Sequence, residues 1–285
     1  MGTLEIKNVS YRYGRGTPFE TLALSDVSFS LETGEMICVI GHTGSGKSTL
    51  MQLMNALLKP DRGSVVLNGR DINKNKASAY EARFHVGLCF QYPEYQLFGE
   101  TCSEDIAFGP RNMGLEQSEI QRRIQEAAAL AGLEQNLLQS SPFALSGGQK
   151  RRCAIAGVLA MRPEFLILDE PTAGLDPAGR EMLMETVRSY RLKTGAAVIL
   201  VTHSMELAAT SDRILVLGGG KLLLDGPPEA VFSEIDVLTK HGLNIPFASR
   251  VCRALQKRGF DLPTVCTPET AADAIESLLR GEGKL

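Results

Sequence analysis

The N-terminal part of the chain alternates apolar and polar residues. Leu4 and Ile6 have polar residues on either side, and Val27, Phe29 and Leu31 do as well. Alternation with a period of two is typical of a strand that buries only one face. We therefore predict two half-buried strands within this first part of the chain.

Further along, apolar residues come in short unbroken runs that end in glycine or in a polar residue. Such runs are typical of strands that are buried on both faces of a sheet. The runs are EMICVIG (35–41), RFHVGLCFQ (83–91), EFLILDE (164–170) and AAVILVTH (196–203). Residues with helical spacing lie between the runs, namely Leu50, Leu53, Met54 and Leu57, and later Leu183, Val187 and Tyr190. Strands that alternate with helices predict an α/β fold with a parallel sheet, whose ligands bind at the carboxyl ends of the strands.

The C-terminal part changes in character. RILVLGGGKLLLDG (213–226) is predicted to form a hairpin with glycines at its turn. Beyond it, one helical pattern surrounds Val251, Cys252 and Leu255, and a second starts at Thr267-Pro268. We therefore divide the chain into a main domain, 1–240, and a small C-terminal helical domain, 241–285. The sequence leaves open whether the latter merely packs on the main domain or has a specialised role.

Composition narrows the class of protein. The chain has 285 residues, 44% of them hydrophobic, and a net charge of −3, which argues against a primary role on nucleic acid. The six cysteines form no C-x-x-C pair, so we expect small buried thiols rather than a zinc site or a disulfide framework. The first residues lack the pattern of a signal peptide, and no apolar run is long enough to cross a membrane.

One glycine-rich segment has the spacing of a phosphate-binding loop. It matches G-x-x-x-x-G-K-[ST] and connects a predicted buried strand to a predicted helix. Its backbone N–H groups and the helix dipole attract phosphate, Lys47 is expected to reach the β- and γ-phosphates, and Ser48 to bind Mg²⁺. The segment therefore predicts a nucleoside triphosphate site. Its residues are Gly41, His42, Thr43, Gly44, Ser45, Gly46, Lys47 and Ser48.

Polar residues at three other strand ends suit the same site. Asp169 is expected to hold Mg²⁺ through water, and Glu170 to orient and deprotonate the attacking water. The alternative for Glu170 is a structural pairing with a neighbouring lysine. His203 can contact the γ-phosphate and the water, and the Gln91 amide can contact both Mg²⁺ and that water. Taken alone, a histidine or a glutamine at such a position is more often a structural residue than a catalytic one.

A second glycine-rich segment, LSGGQKRR (145–152), begins another predicted helix. It cannot bind the same phosphates as 41–48 without crowding Lys47. The simplest geometry places the two loops on opposite faces of one nucleotide and on two different chains. The sequence therefore predicts a head-to-tail pair of chains with ATP between them, and we interpret Lys150–Arg152 as the polar start of the helix.

These motifs together resemble the ABC-type ATPases, whose signature motif is LSGGQ. The match covers about 1–230 and includes AGLD (173–176) in the order that the family has. The resemblance implies a P-loop ATPase fold with a mixed-sheet core and a helical subdomain at about 92–162, followed by the small C-terminal helical appendage. The implied cofactors are ATP and Mg²⁺.

The resemblance also implies roles for individual residues. The signature residues would contact the ATP held by the partner; they are Ser146, Gly147, Gly148 and Gln149. Glu170 would be the general base and His203 the switch histidine, while Asp176 would communicate across the dimer. Thr49 would extend the phosphate loop. Tyr13 looks like the aromatic residue that stacks on adenine, although Tyr11 competes for this role and either can be a half-buried strand residue.

A narrower resemblance is to the ATP-binding subunits of energy-coupling factor transporters, which import vitamins and cobalt or nickel ions. It rests on 90–110, 148–164 and 170–177. It implies a second ATPase, identical or paralogous, a transmembrane coupling subunit, and indirectly a substrate-binding membrane subunit, with this chain peripheral at the cytoplasmic face of the membrane. In this group the coupling helices are basic, and they would dock on Glu94, Tyr95 and Phe98. The sequence does not identify the transported substrate.

Two other functions compete with transport. A soluble ABC ATPase acting on nucleic acid or ribosomes usually has two cassettes in one chain or a long inserted coiled coil, and neither is present here. A P-loop kinase or GTPase of another kind would leave LSGGQ unexplained, and no N-K-x-D follows His203. We therefore expect an ATPase that powers a membrane importer and does not act on nucleic acid.

Overall fold

A computed structural model describes residues 1–280. Within this range the strands are β1 (Thr3–Tyr13), β2 (Thr21–Glu32), β3 (Met36–Ile40), β4 (Arg62–Leu67), β5 (Arg70–Asp71), β6 (Val86–Cys89), β7 (Phe165–Asp169), β8 (Ala197–Val201), β9 (Arg213–Gly218) and β10 (Lys221–Gly226). The α-helices are α1 (Lys47–Met54), α2 (Lys76–His85), α3 (Cys102–Asn112), α4 (Gln117–Leu130), α5 (Gly147–Leu159), α6 (Pro177–Thr194), α7 (Met205–Ala208), α8 (Pro228–Ser233), α9 (Ile235–Lys240), α10 (Phe247–Gln256) and α11 (Pro268–Leu279).

The two half-buried strands predicted near the N-terminus are confirmed. They are β1 and β2, which pair antiparallel with Leu4 opposite Leu31 and Ile6 opposite Phe29. These apolar residues face the same side of a four-stranded antiparallel sheet of order β2-β1-β4-β5. The sheet therefore has one apolar face to bury, as its alternating sequence requires.

The predicted parallel sheet is also confirmed. A six-stranded sheet has the order β10-β9-β3-β8-β7-β6, and the pairs from β9 to β6 are parallel. The predicted hairpin closes one edge, because β10 runs antiparallel to β9 through a turn at Gly219 and Gly220. Both glycines have positive φ angles, 56° and 75°, which such a tight turn requires.

Two predicted boundaries are wrong. Arg83–His85 form the last turn of α2, so that the strand in 83–91 begins only at Val86. Leu57 lies outside α1, which ends at Met54, and Ala56 then adopts a φ of 57° that a helix cannot contain.

The six-stranded sheet is buried on both faces. Along β3, Ile37 and Val39 face the cluster that lies between the two sheets and against α1, whereas Cys38 faces the other side, where most of the helices pack. All six cysteines are buried with free thiols, as predicted. This two-sided burial explains why the central strands are unbroken apolar runs.

Between β6 and β7 the chain forms a layer of helices, α3, α4 and α5, with short 3₁₀ helices at Pro93–Gln96, Gln135–Gln139 and Pro142–Ala144. At the C-terminus, α10 and α11 enclose a small apolar cluster of their own. Thr267 caps α11 and Pro268 is its first residue, as the sequence predicts. The last five residues of the predicted domain 241–285 lie outside the described residues. None of the helices in 1–280 is both long and apolar enough to cross a membrane.

Candidate active site

The parallel sheet gathers the predicted catalytic residues at one edge. In register, Cys89 pairs with Leu168, Asp169 pairs with Val201, and Val201 pairs with Val39. The residues that follow these strands are therefore at the same level, at the carboxyl ends of the strands. They are Gln91, Glu170, His203 and the loop that begins at Gly41.

The phosphate-binding loop is wrapped around its lysine. Lys47 is buried at the start of α1, and its Nζ donates to the carbonyl oxygens of Gly41, at 2.6 Å, and His42, at 3.1 Å. Gly46 has a φ of 104°, and a Cβ at this position would lie 2.6 Å from a methyl carbon of Leu24. Gly44 also has a positive φ, but the space around its Cα is open. Glycine is therefore required at Gly46 by both conformation and space.

Burial shifts the charges in this site. It lowers the pKa of Lys47, although the nearby carboxylates of Glu170 and Asp169 oppose that shift. Burial, together with the charge of Glu170, raises the pKa of Asp169 to about 6. The adjacent carboxylates of Asp169 and Glu170 thus lie near the partly desolvated ammonium of Lys47. This arrangement is suited to binding both a cation and phosphate.

Glu170 and His203 lie side by side. The Nε2 atom of His203 is 3.4 Å from Oε1 of Glu170, and that buried oxygen has no hydrogen-bond partner among the described residues. Glu170 has a φ of 45° and donates its backbone N–H to the carbonyl oxygen of Val201 at 2.8 Å. Burial raises the pKa of Glu170 and lowers the pKa of His203. A carboxylate with a free oxygen and a raised pKa is suited to accept a proton from water.

The proposed metal ligands are all oxygen donors. Ser48 and Gln91 are exposed. Asp169 is the last residue of β7, which pairs with β6, the strand that Gln91 follows. A hydroxyl, an amide oxygen and a carboxylate match the preference of Mg²⁺ for oxygen ligands and retained waters. These residues therefore fit a magnesium ion that also binds phosphate oxygens.

The signature segment opens α5, as the sequence predicts. The Ser146 hydroxyl accepts the N–H of Gln149, and the Gln149 side chain accepts the N–H of Ser146, which forms a capping box. A Cβ at Gly147 would meet nothing within 4 Å, so the start of the helix is open to an approaching anion. Within 1–280 no hydrogen bond or ion pair joins this segment to the phosphate-binding loop.

Tyr13 is the better placed of the two candidate adenine-stacking residues. Its hydroxyl lies 3.1 Å from that of Thr49 on α1, and its ring is partly exposed. Tyr11 packs on the core between the two sheets and contacts Tyr13 edge to face. The role of Tyr13 in adenine binding stays a prediction, supported by its position beside the phosphate-binding loop. Asp176 caps α6 by accepting the N–H of Gly179 at 2.7 Å.

Glu94 differs from the expectation. We expected its carboxylate to be available to a basic partner, but it is already paired with Arg151 on α5 at 3.2 Å, and its side chain is only 18% exposed. Arg151 itself is buried, so interpreting Lys150–Arg152 as simply the polar start of a helix missed its role. Tyr95 and Phe98 are exposed, at 85% and 63%.

Phe98 borders an apolar groove of about 370 Å³ that lies between α2 and the helical layer. Phe98 contacts Phe108 edge to face, and Tyr80 and Phe84, which also line the groove, do the same. Asp105, another lining residue, holds the segment that carries Phe98, because its Oδ1 accepts the N–H groups of Phe98 and Gly99, each at 3.1 Å. Asp105 could not be singled out from the sequence, since a single acidic residue on a helix is usually solvated.

The fold and the site define an ABC-type ATPase. A protein-family model described as ABC transporter matches residues 24–173. The solved structure of cbiO1 from Clostridium perfringens, described as part of the ABC transporter complex cbiONQ, is similar with a TM-score of 0.73 and 36% identity, covering 83% of this chain and 93% of that chain. A dimeric structure of the ATP-binding cassette MJ0796 bound to ADP and Pi is similar with a TM-score of 0.70 and 28% identity, covering 79% and 98%.

Curated relatives narrow this class. Proteins named energy-coupling factor transporter ATP-binding protein EcfA2 are 50% identical in Caldanaerobacter subterraneus subsp. tengcongensis, over 98% of both chains, and 49% identical in Clostridium tetani, over 91% of both. The chain therefore belongs to the ABC transporter ATP-binding proteins and, among these, to those of energy-coupling factor transporters. It binds ATP and hydrolyses it.

Proposed function

We propose that this chain powers the import of a vitamin or a transition-metal ion by an energy-coupling factor transporter, from the cytoplasmic face of the membrane. The observation that carries the proposal is the exposed aromatic groove, which lies between α2 and the helical layer, whereas the residues that act on ATP lie at the sheet edge. An exposed apolar groove marks a binding surface. The transported substrate binds another subunit, so this chain contacts it only indirectly.

In the proposed reaction, the loop from Gly41 and the Lys47 ammonium hold the triphosphate. Mg²⁺, when held by Ser48, Asp169 and Gln91, supplies positive charge that neutralises the phosphate oxygens. Glu170 orients the attacking water and accepts its proton at the free Oε1. His203, 3.4 Å from that oxygen, contacts the γ-phosphate and the water.

We propose further that two ATPase chains, identical or paralogous, pair head to tail. The open N-terminus of α5 supports this, because Ser146 and Gly147 are exposed and no hydrogen bond or ion pair within 1–280 joins them to the loop from Gly41. The partner would place its ATP against this helix start, and Asp176 would lie at the same interface. ATP binding closes the dimer, and hydrolysis allows it to reopen.

The groove is proposed to take a coupling helix of the transmembrane subunit. Aromatic residues form much of its lining, which suits the apolar face of one helix. Because Glu94 is paired within the chain, the aromatic residues Tyr95, Phe98 and Phe108 are expected to supply most of the binding energy.

Replacing Phe98 with aspartate is therefore expected to reduce binding of the membrane subunit by about tenfold, because an aromatic anchor that docking would bury is exchanged for a charge. The measurement is the amount of membrane subunit that co-purifies with the tagged chain, with ATP affinity measured in parallel. Leu192→Asp is the matched control, since Leu192 is 85% exposed on α6 and outside the groove. If equal amounts of membrane subunit co-purify with both variants, the groove is not the surface that binds the membrane subunit.

A further inference from the structure

Arg151 connects three separate parts of the molecule. From its place on α5, its Nε donates to Glu94 at 3.2 Å, and its Nη1 donates to the carbonyl oxygen of Ala173 at 2.8 Å. The guanidinium carbon lies 5.8 Å from the centre of the Tyr92 ring. The Arg151 side chain is only 6% exposed, so these contacts are shielded from water. Charged interactions are stronger in such an environment.

On one side, Arg151 contacts the surface beside the groove. Glu94 belongs to the same 3₁₀ turn as the exposed residue Tyr95. Tyr92, just before this turn, has a φ of 55°, a conformation that residues other than glycine rarely adopt. The turn is thus held against Arg151 by specific contacts, and a helix that docks on Tyr95 would push directly on it.

On the other side, Arg151 contacts the loop that holds the general base. Ala173 accepts from Arg151 through its carbonyl oxygen and donates its N–H to the carbonyl oxygen of Glu170 at 3.0 Å. A continuous chain of polar contacts therefore runs from Glu94 through Arg151 and Ala173 to Glu170.

The ion pair between Arg151 and Glu94 has only one of the two hydrogen bonds that an arginine can donate to a carboxylate. An arginine binds a carboxylate best when Nε and Nη2 each donate to one oxygen. In the same protein, Arg213 binds Asp225 in this way, with distances of 2.5 and 2.7 Å. Arg151 uses Nε alone toward Glu94, and its Nη2 is buried with no partner among the described residues. A rotation of the Glu94 carboxylate that also engaged Nη2 would complete the fork and give the pair a second arrangement.

We propose that Arg151 is a positioning residue whose pairing with Glu94 transmits occupancy of the groove to the loop that holds Glu170. In this proposal, docking of the membrane subunit shifts Glu94 between its one-bond and two-bond arrangements. Arg151 then moves the Ala173 carbonyl, and with it the backbone of Glu170. The inference rests on the proposed function, because it requires a partner in the groove.

The test compares the ATPase rate of the chain in its purified membrane complex with the rate of the isolated chain. The variants are Glu94→Gln, Arg151→Lys and the double variant, with Glu100→Gln as the control that removes a nearby exposed carboxylate. Each single variant is expected to lower the stimulation of kcat by the complex about fivefold or more, with KM for ATP changed by less than about twofold. The double variant is expected to lose no more than the worse single variant, because both remove the same pair.

Additive losses in the double variant, or an equal loss from Glu100→Gln, would overturn the inference, since Glu94 would then act only through its charge at the surface. Unchanged stimulation in Arg151→Lys would also overturn it. Arg151 is buried and cannot contact the docked partner, so it can affect stimulation only through the residues that it positions. If the wild-type chain brings down no membrane subunit, or is not stimulated by it, the proposed function fails and this inference fails with it. If the wild-type chain is stimulated and the variants are stimulated equally, only the inference fails.

Discussion

Replacing Glu170 with glutamine is expected to lower the rate of ATP hydrolysis by about 10²–10⁴-fold while ATP still binds. The amide retains the shape of the side chain and can orient water, but it cannot accept the proton of that water. The unpartnered Oε1 of Glu170, beside His203, is the atom that would be lost as a base. Because ATP is no longer consumed, the closed dimer is expected to accumulate.

The measurement is the steady-state release of phosphate, combined with light scattering to detect the dimer in the presence of ATP. Glu181→Gln is the matched control, because Glu181 is exposed on α6 and pairs with Arg188, away from the predicted site. Hydrolysis by Glu170→Gln at the wild-type rate would show that another group accepts the proton.

Replacing Lys47 with alanine is expected to weaken ATP binding itself, by about a hundredfold, which corresponds to about 2.7 kcal/mol. In the structure the ammonium is buried and satisfied by the carbonyl oxygens of Gly41 and His42. It is therefore held in place ready to exchange these neutral acceptors for charged phosphate oxygens, which form stronger hydrogen bonds.

Calorimetric titration with ATP measures this loss directly. Lys59→Ala is the control, since Lys59 is exposed and lies outside the phosphate-binding loop. If Lys47→Ala binds ATP as tightly as the wild type, the loop does not hold the triphosphate in the proposed way.

Much of the fold follows from the sequence because burial on two faces leaves a clear pattern. The run MICVI has no polar residue, and the structure buries all five residues in β3. The same reasoning placed Asp169 and His203 at strand ends, and parallel register then brings them to one edge of the sheet. Motif spacing added Lys47 and Ser146, whose local conformations are those that a phosphate-binding loop and a helix N-cap require.

What the sequence could not predict is which side chains meet across the fold. Glu94 and Arg151 are 57 positions apart, and each is typical of a solvated surface residue when considered alone. Only the packing of α5 against the turn at Pro93–Gln96 makes them a buried pair. The error at Arg83–His85 has a different origin, because a helix leads directly into a strand there with no glycine or proline to mark the boundary.

The central claim is that this chain supplies ATP-derived energy to a membrane importer as one of a pair of ATPases. The most direct test is to purify the tagged chain from solubilised native membranes and identify every chain that accompanies it. The account predicts a polytopic membrane protein together with a second ATPase chain, identical or paralogous. Recovery of ribosomal proteins or nucleic acid, with no membrane protein, would leave the ATPase chemistry intact and contradict the role in transport.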